Sequence, residues 1–419
     1  MSSASPGRPA VVYDGAVQRA DLDVWESDLR DLIARIRPLW YRTESKQHAE
    51  QYIRGLLSQL ERKNAWAIAE YAGEPAPTAL QRLLNLSPWD VEALLAVNRE
   101  YAMEHLSDPG AILVADPTGF AKKGTKSVGV QRQYSGTLGR IDNCQIATFI
   151  GYVTPGRDRV LLDRRLYMPK KSWMADPVRC AEAGVPPQQT FLTRPQQVEE
   201  MIESARGAGV AFAWFTADEE FGQNPGLRQH LEGAGIAYVM AIPKNTECTA
   251  AGGRSATIAD LTARLRPSGW TRRACGIGAK GYRVYDWAVI DSADPVHQYL
   301  VRRSIDDGEL AFYHCYNPRQ ESMSELVRVA GSRWPIEECF ETGKGQVGLD
   351  NYQVRLYPAW YRHMSLAMLA ETFLAVITHR HHAKKGDPQP RQPTVPGTAT
   401  RPPPAASAHR RGPAGEESA

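Results

Sequence analysis

Two short apolar runs that end on aspartate constrain this chain more than any other feature. Ala111-Ile-Leu-Val-Ala115 sits between Asp-Pro-Gly and Asp-Pro-Thr-Gly and ends at Asp116, and the near-continuous run Gly209 to Ala217 ends at Asp218. Runs this short, apolar on both faces and bounded by turn residues, read as strands buried in the middle of a sheet. Their neighbours complete the pattern. Strands are expected at Gln145–Val153 and Val160–Met168, with Ser127–Tyr134 as one arm of a hairpin turning through Gly136 and Gly139. Thr193-Arg-Pro195 opens a helix to about Arg206, and a helix over Asn224–Ala234 leads into a strand at Ala237–Ile242. The order strand, strand, strand, helix, strand, helix, strand, with acids at the tips of the first and fourth strands, is that of an α/β, RNase H-like mixed sheet with flanking helices.

The rest of the chain divides around that core. Residues 1–20 are rich in Ser, Pro, Gly and Ala without periodicity and are expected to be disordered, as is the Pro-rich tail 383–419. Residues 21–107 read as an N-terminal helical domain: Asp21 onward with Trp25, Leu29, Leu32, Ile33 and Ile36 on one face, a long helix at Ser45–Tyr71, then Ala79–Leu84 and Val91–His105. Short helices joined by turns suggest a helix-turn-helix, or a bundle that merely packs on the core. The core's first part is 108–244. A β-rich insertion at 245–316 precedes its last part, 317–382, and carries Lys280, Arg283, Arg302 and Arg303 as DNA-lining candidates or as an ordinary solvated face.

Within that last part, Gly331-Ser-Arg333-Trp-Pro335-Ile-Glu337-Glu-Cys-Phe340-Glu-Thr-Gly-Lys344 begins a helix at Pro335. Glu337 and Lys344 lie two turns apart and share a face, and Arg333 lies just before it. An acid able to hold a metal beside cations able to hold phosphate oxygens is what nucleic-acid backbone chemistry requires, although such residues also form plain salt bridges.

Arg333-x3-Glu337-x6-Lys344 resembles the Y-x2-R-x3-E-x6-K signature of DDE transposases from bacterial insertion sequences, with Ala330 where the tyrosine would stand. Val114–Phe120 with the Lys-rich run to Gln145, Trp214–Gly222, Gly348–Arg355 and Trp360–His363 resemble blocks of the insertion sequence 701 family. The resemblance implies a catalytic and metal-binding triad of Asp116, Asp218 and Glu337. Glu219, Glu220 and Glu338 are adjacent alternatives; Asp218 is favoured as the strand end, and Glu338 is turned about 100° round the helix. Arg333 and Lys344 are the expected phosphate contacts, with Lys122 and Lys123 behind them. Two Mg²⁺ ions, replaceable by Mn²⁺, would activate a nucleophile and stabilise the leaving oxygen. The resemblance also implies partners: terminal inverted repeats, target DNA, and a second copy of the chain in a synaptic homodimer. A decayed copy that binds without cutting, or an RNase H-like nuclease without strand transfer, is the alternative. Trp334 is either an aromatic platform replacing the absent tyrosine or a packing staple.

Composition narrows the classes further. A net charge of +3 in 419 residues does not mark the whole molecule as a nucleic-acid binder. Lys and Arg far outnumber Asp between Asp116 and Lys171, a local segregation that reads either as a phosphate track or as an ordinary solvated surface. Six scattered cysteines without a C-x-x-C pair suggest neither zinc nor a disulfide framework. Met364–Ile377 is too short to span a bilayer and contains Glu371, so a cytoplasmic protein with no membrane partner is expected.

Overall fold

The computed structural model describes residues 17–278 and 281–385. The expected disorder at the two termini falls almost wholly, and Lys280 entirely, outside those residues. Five helices open the described chain: α1 (Arg19–Ile36), α2 (Thr43–Leu57), α3 (Ala65–Tyr71), α4 (Thr78–Asn85) and α5 (Val91–Leu106). Then come β1 (Ile112–Ala121), β2 (Gln131–Ser135), β3 (Arg140–Val153), β4 (Arg159–Leu166), α6 (Pro177–Glu182), α7 (Arg194–Gly207), β5 (Trp214–Ala217), α8 (Glu219–Gly222), α9 (Pro225–Gly233) and β6 (Ala237–Ile242). The last part holds β7 (Glu247–Thr249), β8 (Ser255–Thr257), α10 (Ile258–Thr262), β9 (Thr271–Gly278), β10 (Gly281–Asp291), β11 (His297–Arg303), β12 (Leu310–Tyr316), α11 (Met323–Gly331), α12 (Trp334–Gln346) and α13 (Tyr357–Lys385).

The RNase H-like order is present. Strand β4 pairs with β3 and β3 with β1, both antiparallel, while β1, β5 and β6 run parallel. The expected β insertion is present too, but it continues the same sheet. Strand β12 pairs antiparallel with β6, and β11, β10 and β9 follow, so one ten-stranded sheet runs through the molecule.

Two local expectations need correction, and one helix was not foreseen. The single helix at Ser45–Tyr71 is broken: α2 ends at Leu57, and the Lys63 ammonium caps the Leu56 carbonyl at 2.7 Å. The Asn64 side chain then accepts from Trp66 N and Ala67 N to start α3. Helix α11, unforeseen, is capped by Ser322, whose hydroxyl accepts from Glu325 N. Strand β1 runs on past Asp116 to Ala121, so that aspartate lies inside a strand rather than after one.

The helical unit and the sheet share one core, which extends from Leu29 through Phe149 and Phe215 to Ile377. Helix α13 is its post. Arg362 donates to Leu84 O at 2.8 Å, and His363 bonds Tyr52 Oη at 2.9 Å and Gly348 O at 3.1 Å. From α5, Asn98 and Arg99 donate to the Leu161 and Leu162 carbonyls of β4. Arg164, fully buried and part of the basic run, pairs with Glu92 at 3.0 Å, so it is a structural cation.

Candidate active site

Parallel pairing of β1 with β5 stops at Ala115 opposite Ala217, so Asp116 and Asp218 emerge side by side where that ladder ends. Asp218 also caps α8, accepting from Glu220 N at 2.9 Å. Gly222 fixes α8 against β6, since a Cβ there would stand 1.9 Å from the Ala241 carbonyl oxygen.

Helix α12 brings the third acid. Pro335 lies in its first turn, and buried Ile336 and Phe340 hold it to the sheet, Phe340 edge-on to Phe149 with ring centroids 5.4 Å apart. Arg333, just ahead of the helix, links the two elements: its guanidinium is 3.6 Å from Asp116 Oδ1 and 3.5 Å from Glu337 Oε1. Burial pushes the Asp116 carboxyl up to about 7; Arg333 opposes this, and Asp218, Glu337 and Glu220 add to it. Burial thus outweighs the Arg333 guanidinium beside Asp116.

The neighbouring acids have other partners. Glu338 pairs with Arg159 at 3.2 Å, Glu220 pairs with Arg194 at 2.6 Å, and Glu219 is exposed. Lys344 reaches back to β1, its ammonium donating to Thr118 Oγ1 at 2.8 Å and to Gly119 O at 3.4 Å. Burial lowers its pKa, and it has no carboxylate within ion-pair distance among the described residues. Lys122 instead lies over the Tyr352 ring, 3.4 Å from its centroid, with its pKa lowered to about 8 by burial. Lys123 is exposed on the loop after β1.

Sequence reasoning missed the setting of Trp334. It is half-buried, stacked on Tyr285 with centroids 6.3 Å apart and planes 6° from parallel, and Arg283 lies 4.5 Å from its ring centre. Arg302 lies over Tyr285 at 4.7 Å and Arg303 over Trp270 at 4.1 Å, so the insertion's arginines are largely engaged with aromatic rings. Ala330 is buried in α11, and a Cβ on adjacent Gly331 would stand 2.1 Å from the Cys275 carbonyl oxygen. Ala330 thus belongs to the buried side of α11 rather than to the open face of the site.

Comparison with known proteins follows this layout. The family described as "DDE superfamily endonuclease" matches residues 33–276, more than half of the chain. The chain belongs to that superfamily. A second DDE description, "Transposase DDE domain", matches residues 194–371, so the two together span Asp116, Asp218 and Glu337. A probable transposase for insertion sequence element IS701 from Microchaete diplosiphon is 30% identical over 192 residues, 46% of this chain and 47% of the relative. The chain thus spans about half the length of that curated relative. Among solved structures, a piggyBac transposase synaptic complex with hairpin DNA is similar at a TM-score of 0.43 and 10% identity, covering 82% of this chain and 68% of that one. No described helix of this DDE protein is long and apolar enough to cross a membrane.

The three carboxylates suit a hard divalent ion in donor type, and Asp116, whose charge burial disfavours, is the group such an ion would satisfy. In spacing they are not gathered into a ligand cluster, and the Arg333 guanidinium holds two of them.

Proposed function

We propose that this DDE protein is the transposase of a bacterial insertion sequence, binding terminal inverted repeats, cutting at element ends and joining them to target DNA. The observation that carries this reading is the Arg333 bridge, which ties Asp116 of the central strand to Glu337 of α12 beside Asp218. Asp116, Asp218 and Glu337 would hold the divalent ions, Mg²⁺ or Mn²⁺. When bound, these polarise the phosphate and lower the pKa of a nucleophilic water or hydroxyl. Arg333 holds the Asp116 and Glu337 carboxylates together across two elements. Lys344, a partly buried ammonium on neutral acceptors, offers its charge to a phosphate near the cut. Residues 21–107 are assigned to end binding and 108–382 to chemistry. Handling two ends at once calls for two copies of the site, hence a homodimer, acting on chromosomal DNA in the cytoplasm.

The test uses end-bearing duplexes with Mg²⁺. Asp116→Asn, Asp218→Asn and Glu337→Gln should each abolish cleavage while leaving DNA binding in place, and Glu338→Gln should cut near the wild-type rate. A variant of the triad that still cuts removes that residue from the assignment.

A further inference from the structure

The RNase H-like order needs only β4, β3, β1, β5 and β6 on this side of the sheet; β2 and the first turns of β3 form an added ribbon. Residues 131, 133 and 135 of β2 are turned inward, while Arg132 and Tyr134 are exposed. Tyr134 stands opposite Ile141 in the ladder. Such a pair steadies a ribbon, yet Tyr134 is 63% and Ile141 61% exposed, so nothing among the described residues covers them.

Charge says what could cover them. From Lys122 to Asp142 the only acid is Asp142, and Arg140 neutralises it at 2.8 Å. Lys122 is occupied by Tyr352. Lys123, Lys126 and Arg132 remain, all exposed and none in an ion pair among the described residues. A surface of unpaired cations around an aromatic and an aliphatic side chain fits a polyanion with apolar edges. A second copy of this chain would oppose like charges.

The ribbon is also fastened to the candidate site. Its tip bends back onto β1, where Thr137 Oγ1 accepts from Gly119 N at 3.1 Å and lies 3.2 Å from Thr118 Oγ1. Lys344 donates to that same Thr118 hydroxyl at 2.8 Å. The approach is close at Gly119, where a Cβ would stand 2.1 Å from Ser135 Oγ and 3.1 Å from Ser135 Cβ, so Ser135 would have to shift.

Resting on the transposase reading above, we propose that the β2–β3 ribbon is a fixed arm that grips duplex DNA beside the cut. Lys126 and Arg132 neutralise phosphates, and the Tyr134–Ile141 pair lies in the groove between them. A two-stranded ribbon fits the major groove, roughly 12 Å wide. Because the arm and Lys344 share Thr118, the duplex is registered against the strand that carries Asp116.

The test is salt-dependent binding of the full chain to a fluorescein-labelled duplex of arbitrary sequence. Each lost phosphate contact flattens the slope of log affinity against log salt by about 0.9, so Lys126→Ala/Arg132→Ala should flatten it by about 1.8. Tyr134→Ser/Ile141→Ser should weaken binding severalfold at constant slope, with the melting temperature lowered only slightly, because both side chains are exposed and only their mutual contact is lost. A slope unaltered by the charge variant overturns the arm. So does sedimentation showing that Tyr134→Ser/Ile141→Ser splits a dimer without affecting DNA binding, which would make the ribbon a chain–chain contact. If the wild type itself shows neither salt-dependent binding nor Mg²⁺-dependent cleavage, the transposase reading fails instead.

Discussion

Glu371 of α13 is buried beneath the helix that carries Glu337, and its Oε2 has no hydrogen-bond partner among the described residues. That oxygen is 3.3 Å from where a Cβ on Gly343 of α12 would stand, so the carboxyl lies against the middle of the helix. Burial pushes its pKa from 4.5 to about 8, with Arg159 opposing. The sign follows from proton counting. Between these pH values the unfolded chain has lost the proton and the folded chain keeps it, so the stability this group contributes is full below 4.5 and is lost as pH rises through 8. The interval is 8 − 4.5 = 3.5 units, and at about 1.4 kcal/mol per unit the loss is on the order of 5 kcal/mol. Glu371→Gln copies the neutral acid and cannot ionise. Urea unfolding should therefore find the variant close to wild type at pH 5 and several kcal/mol more stable at pH 8. The two proteins losing stability in parallel over that range would refute the reasoning and place a counter-charge beside Glu371.

Two further outcomes follow from the site. Lys344→Ala should flatten the salt dependence of DNA affinity by about 0.9, the share of one phosphate; an unchanged slope would reduce Lys344 to a packing contact with Thr118. Trp334→Ala removes a half-buried ring sandwiched with Tyr285 and Arg283, so it should cost about 2–3 kcal/mol of stability and slow cleavage equally on paired and pre-unpaired ends. Loss confined to paired ends, at an unchanged melting temperature, would restore Trp334 as a stacking platform for DNA.

The centre of the fold was legible because buried strands have a simple signature. Apolar runs ending at Asp116 and Asp218 are continuous or nearly so, as suits a strand covered on both faces. The extension of β1 past Asp116 was not legible, since Pro117-Thr-Gly119 has turn composition. Beyond Ala115 the strand has lost its β5 neighbour, the edge-like condition under which proline is accepted. The break between α2 and α3 hid behind Leu60 and Lys63, which suit a helix, although Asn64 ahead of Ala65-Trp66 carried a capping signal. Ser322-Met-Ser-Glu325 announced α11 in the same way. Within the site, the spacing of Glu337 and Lys344 was readable as one helix face, with Arg333 just before it. The reach of Arg333 to Asp116 was not, because it joins distant segments through the packing of α12 on the sheet. The joining of β12 to β6 is non-local in the same sense, and alternating apolar residues do not say which sheet a strand will enter.

The post of the molecule, α13, is the last described element, yet it closes the burial of the first ones. Tyr52 waits for His363, 311 residues later, and Leu84 O waits for Arg362, 278 residues later. During synthesis α2 and α4 therefore leave the ribosome with apolar faces that cannot be covered until nearly all of the described chain has been made. At about 5–20 residues per second, that exposure lasts roughly 15–60 seconds. This interval makes the nascent chain a client for chaperones. It also means that a message cut short before α13 would leave the faces of α2, α4 and α5 that pack on it uncovered, so the helical unit is not expected to stand as a free domain.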